Sequence, residues 1–244
     1  MLYRFTPNPA QEHSGQLTRH VHLIIIQKYH LELPMLGIFR KRSPTNTLNS
    51  AFEKMHSFLS DDDMQIRVLG PQQYSHFKTL SAIDRHHGRE GEFGRSLTNP
   101  APTNGPIGSI SYLSNLVATS GHRIVFHRIN TLDGIDVYEY ASLAGDDWGL
   151  VFVDMYHSRK SKLAPTGLRL LQAQQLIGFN HFWDDFPYGF AEQKQAMPAE
   201  LRFLYAPVSA VSNELTGRNL VRPLKHALLV QTIAQAHSGG EPET

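Results

Sequence analysis

The chain contains no cysteine, so disulfide staples, thiolate nucleophiles and cysteine-ligated zinc or iron–sulfur sites are excluded together. Long apolar runs are missing as well. The longest purely aliphatic stretch is Leu23-Ile24-Ile25-Ile26, far short of the ~20 residues that span a bilayer, and no membrane insertion is expected. Met1 to Leu17 holds one cation, Arg4, and no apolar core of a cleavable signal, which makes a cytoplasmic location the expectation. An excess of one charge is also lacking. Lys plus Arg number 23 against 22 Asp plus Glu, so no global field recruits nucleic acid or an anionic surface.

What remains is a globular composition of 244 residues, 41% of them apolar, long enough for a substantial core. Residues 1–19 carry Pro7, Pro9 and Gly15 without apolar period and read as a flexible arm. His20 to Gln27 reads as a buried strand, and Leu31 to Phe39 as a second one interrupted by Pro34. Leu48, Phe52, Met55 and Leu59 fall on one helical stripe. Asp61, Asp62 and Asp63 then oppose the macrodipole if they close that helix, so they are expected to form a turn into a short strand over Met64–Leu69. Pro71 suits the first turn of a helix reaching to about Ile83.

Residues 85–109 hold five glycines and three prolines and read as a linker or loop. The stretch stands between an N-terminal α/β portion, residues 1–84, and residues 110–244, either as a linker between two units or as a loop within one domain. The best-organised region is 122–156, with strands over His122–Ile129, Ile135–Ser142 and Trp148–Tyr156 and turns at Leu132-Asp133-Gly134 and Ala144-Gly145-Asp146-Asp147. Both faces of the third strand are apolar, so it should be covered on both sides. Helices are expected from Leu168 to Trp183 and from Pro223 to His237, the latter apolar nearly all round and hence buried. The fold class is therefore α+β, an antiparallel meander packed against several helices.

Chemistry-bearing motifs are scarce. No G-x-S-x-G elbow, H-E-x-x-H helix, phosphate-binding loop, dinucleotide fingerprint or EF-hand loop occurs. The strongest candidate is Asp154 to Lys162, where a strand end delivers Asp154, His157, Arg159, Lys160 and Lys162 to one edge. Asp154 shares a face with Leu150 and Phe152, where an unpaired carboxylate is costly. A second candidate sets Asp184 or Asp185 ahead of Glu192-x-Lys194, acids that hold a divalent ion beside a lysine that orients or activates water. His20 and His22 share a strand face and are weaker metal candidates, with His30 or His86-His87 completing the set.

Two functions follow as expectations. The first is a non-enzymatic binding protein that contacts an anionic macromolecule or protein partner through Arg159, Lys160 and Lys162, or through Arg40, Lys41 and Arg42. The alternative is a metal-dependent phosphoester hydrolase or nuclease, using Asp154 and His157, or Asp185, Glu192 and Lys194, around a divalent metal. Two or more carboxylates within about 5 Å of one another beside a lysine or histidine favour the second, and acids pointing singly into solvent favour the first.

Overall fold

The computed structural model describes residues 53–171, 181–182, 186 and 220–236. The expected arm, the strands over 20–27 and 31–39, Leu48 and Phe52 lie outside them. Residues 53–60 are helical, and their Met55, Phe58 and Leu59 are buried, the inward face that the stripe predicts.

The strand expected at Met64–Leu69 is a helix instead, α1 (Asp62–Arg67). Asp61 caps it: its Oδ1 accepts the backbone N–H groups of Asp63 at 2.8 Å and Met64 at 3.2 Å. The three acids thus sit at the positive end of a new helix rather than the negative end of an old one, which reverses the sign of their contribution. Helix α2 (Pro71–Thr79) starts at the proline as expected and stops at Thr79, short of Ile83.

Residues 85–109 contribute Phe93, Ala101 and Ile107 to the main core. Within this stretch Ala101–Pro102 forms β1, and helix α3 (Gly105–Ser114), buried at every residue, begins. Gly105 takes φ +79°, and a Cβ there would stand 2.9 Å from Leu69 Cδ1, so glycine is required by conformation and by space.

The expected meander is present. Strands β3 (Ile124–Leu132), β4 (Ile135–Ser142) and β5 (Trp148–Asp154) pair antiparallel. Between them Asp133 and Gly134 both take positive φ, 49° and 81°, the two-residue hairpin that matches strand twist. β1 adds in parallel beside β5, and β7 (His181–Phe182) in parallel beside β3, giving the order β1-β5-β4-β3-β7. A separate antiparallel pair joins β2 (Leu116–Ala118) to β6 (Leu168–Leu170).

One sheet face, with Phe126, Tyr138, Tyr140, Val151 and Val153, packs in the main core with α3 residues. On the other, Val137, Leu150 and Phe152 meet Val230 and Ile233 of helix α4 (Leu224–Gln235). β5 is therefore covered on both sides.

Two helix expectations need correction. Leu168–Trp183 is strand at Leu168–Leu170 and again at His181–Phe182; pairing with β2 and β3 overrides a helical stripe, and 172–180 lie outside the described residues. Helix α4 forms where expected but is not buried all round, for Leu224 and Leu228 are 76% and 55% exposed while Val230 is 9% exposed. Among the described residues no helix is long and apolar enough to cross a membrane.

Candidate metal centre

Strand β5 delivers Asp154 to the sheet edge, and its side chain shapes the turn that follows. Oδ1 accepts the Tyr156 backbone N–H at 3.1 Å, which folds the chain back and brings His157 Nε2 to 3.1 Å from Oδ2. Burying the imidazole, 5% exposed, fixes it there.

A second segment closes the site. Residues 81–86 follow α2 and are zipped against 157–162: Ser81 O accepts the Ser158 N–H, Asp84 Oδ1 accepts Arg159 Nη1 at 2.6 Å and the Lys162 N–H at 2.8 Å, and Ser161 Oγ donates to Asp84 O. This docking carries His86 to Asp154, with His86 Nε2 3.3 Å from the same Oδ2. That nitrogen is buried and, among the described residues, aligned with no hydrogen-bond acceptor. The His86 and His157 rings lie 5.2 Å apart, edge to face.

One ligand atom each from His86, Asp154 and His157 can be chosen so that all lie within 4.8 Å of one another. Donors bound at about 2.1 Å to a tetrahedral or octahedral ion stand roughly 3.0–3.4 Å apart. The two nitrogen-to-Oδ2 distances, 3.1 and 3.3 Å, fall in that range. The outer nitrogen of His157 is also held, since Nδ1 lies 3.1 Å from Ser81 Oγ and 3.3 Å from Ser81 O, the anchoring that metal-bound imidazoles show.

The electrostatics suit a cation. Burial alone would raise the Asp154 carboxyl, but the His157 hydrogen bond and charge, the Tyr156 N–H and His86 together hold it below its ordinary value. Burial lowers His86, against the pull of Asp154 and with the help of His157 and Arg89, so its neutral form, the one that ligates, is favoured.

The cations expected to meet an anionic partner sit differently. Arg159 is paired with Asp84, and Lys160 Nζ is bonded to Asp62 and Gln65 in a largely buried position. Lys162 is exposed. Arg40, Lys41, Arg42, Asp184, Asp185, Glu192, Lys194, His20, His22 and His30 lie outside the described residues. His86, expected only as a supplement to His20 and His22, belongs with Asp154 instead; the contact joins two loops distant in sequence, and no local pattern announces it.

A second buried cluster escaped the sequence reading. Glu139, fully buried on β4, has Oε1 2.7 Å from Arg222 Nε and 3.0 Å from His226 Nε2, and Oε2 2.7 Å from His127 Nε2 and 2.8 Å from Arg222 Nη2. Burial opposes its charge, but His127, His226 and Arg222 hold the carboxyl down at about 2. It fastens α4 to the sheet. An acid between Val137 and Ala141 on an apolar strand face was the available signal.

Compared with protein-family models, curated proteins and solved structures, the chain shows no significant match.

Proposed function

We propose that the protein is a metal-dependent hydrolase acting on phosphoesters, with a divalent ion held by His86, Asp154 and His157. The cluster holds one carboxylate, Asp154, not the paired acids that the sequence reading asks of a catalytic site; the observation that carries the proposal is instead the convergence of two imidazole nitrogens on one carboxylate oxygen, at 3.1 and 3.3 Å. Two histidines and one carboxylate are a zinc-type donor set that leaves a coordination position for water, whose pKa the ion would lower to about 7. Arg89 is exposed and its charge is felt at His86, so it supplies a cation for an anionic substrate, whereas Arg85 lies over the Phe93 ring, 5.1 Å from its centre. Binding of an anionic partner through Arg159 and Lys160 is less favoured, because Asp84 and Asp62 would have to be displaced.

The test is turnover of bis(p-nitrophenyl) phosphate and p-nitrophenyl phosphate by the full chain with zinc or manganese. Metal-dependent hydrolysis that Asp154→Asn abolishes is expected. Equal turnover by wild type and Asp154→Asn, or none by wild type with either ion, contradicts it.

A further inference from the structure

The residue behind His157 offers two different partners to one ring nitrogen. Ser81 Oγ is 3.1 Å from Nδ1 and Ser81 O is 3.3 Å from it. A hydroxyl can donate or accept, whereas a carbonyl can only accept. On the opposite side of the ring, Nε2 lies 3.1 Å from Asp154 Oδ2. With no ion between them, a neutral imidazole meets that carboxylate only by donating from Nε2, which leaves Nδ1 bare and in need of a donor. With an ion bound, the Nε2 lone pair is committed, the proton moves to Nδ1, and Nδ1 needs an acceptor.

We propose that Ser81 is the positioning residue of this centre, its hydroxyl holding His157 in the tautomer of the metal-free site and its carbonyl in the tautomer that binds the ion. The inference rests on the metal-site reading given above. Ser81 is suited to both roles because its carbonyl is fixed independently of the hydroxyl, accepting the Ser158 N–H at 3.1 Å. Removing the hydroxyl therefore removes the partner of the metal-free tautomer and leaves the partner of the metal-bound one in place.

The expected consequence is opposite to ordinary damage. Losing an outer-sphere contact commonly weakens metal binding about 10- to 100-fold. Here Ser81→Ala should tighten it by about fivefold, the equivalent of one hydrogen bond no longer lost on binding. Ser81→Thr, which keeps the hydroxyl, should restore wild-type behaviour.

The experiment has two arms on the full chain. In the first, zinc affinity is measured by competition with a chromophoric chelator for wild type, Ser81→Ala and Ser81→Thr. In the second, the metal-free proteins are observed by nitrogen-15 NMR of the imidazoles, with His157→Gln assigning the signals. An Nε2–H tautomer in wild type that shifts toward Nδ1–H in Ser81→Ala and returns in Ser81→Thr supports the role. An unshifted tautomer, or zinc binding that Ser81→Ala leaves unchanged or weakens, overturns it. If wild type binds no zinc, the metal-site reading fails, and the tautomer arm alone still decides the role of Ser81.

Discussion

His86 and Asp154 meet across two loops, His86 Nε2 standing 3.3 Å from Asp154 Oδ2. Their contact depends on the seam in which Asp84 accepts from Arg159 and from the Lys162 backbone. Asp84 is held at about 2, chiefly by the Arg159 hydrogen bond. Asp84→Ala should therefore loosen the loop that carries His86 while leaving the sheet intact. Zinc affinity is expected to fall by about tenfold with only a small change in the denaturation midpoint, since a half-buried pair at the surface contributes modestly to global stability. Affinity equal to wild type would show that the seam does not position His86.

The core should rank its aromatics by burial. Phe126, fully buried between sheet and helices, should cost about 3–5 kcal/mol when replaced by alanine. Phe152, only partly buried against Val137, Leu150 and Val230, should cost less. Denaturant unfolding checks the order, and a larger loss at Phe152 would contradict the packing described.

Glu139 gives a dependence on pH. Its carboxyl ionises at about 2 in the fold against an ordinary value of 4.5, so the native state binds fewer protons than the unfolded chain between those values. The contribution is complete above pH 4.5 and is lost as pH falls toward 2. Glu139→Gln should lower stability at pH 7 by about 3 kcal/mol, because Arg222 loses its partner, and should flatten the acid limb of the stability curve. Unfolding midpoints from pH 7 to pH 2 test this; an acid limb as steep as that of wild type would exclude Glu139 as its source.

Residues 85–109 should be cut selectively. Arg95 is locked by hydrogen bonds to Thr166 O, Leu150 O and Tyr140 Oη, whereas Arg89 is exposed beside Gly88, which has open space around it. Within this stretch trypsin should cleave after Arg89 before it cleaves after Arg95. Peptide mapping of a brief digest checks the order, and the reverse order would mean that the Arg95 anchor does not hold.

The meander was legible because its signals are local: β-branched runs, period-two alternation and an Asp-Gly pair where a hairpin needs positive φ. Helix α1 was not, since six residues are too few to show a period, and Asp61 reads equally as a stop or as a cap until its hydrogen bonds are known. At Leu168–Leu170 and His181–Phe182, the described parts of the expected helix, pairing with strands elsewhere in the chain decides the conformation. At the candidate site, Asp154 and His157 stand three residues apart and could be read together. His86 reaches them only through docking of another loop, and Glu139 meets Arg222 and His226 only once α4 packs on the sheet, which no window of sequence contains.

The central claim is tested most directly by calorimetric titration of zinc into the metal-stripped full chain, compared with Asp154→Asn and His86→Ala. One site of micromolar or tighter affinity is expected in wild type, weakened at least about 100-fold in both variants while their far-ultraviolet circular dichroism stays unchanged. The comparison, not the total stoichiometry, is decisive, because 14 histidines offer other weak donors. Wild type without such a site, or both variants binding as tightly as wild type, would contradict the assignment of His86, Asp154 and His157 as a metal centre.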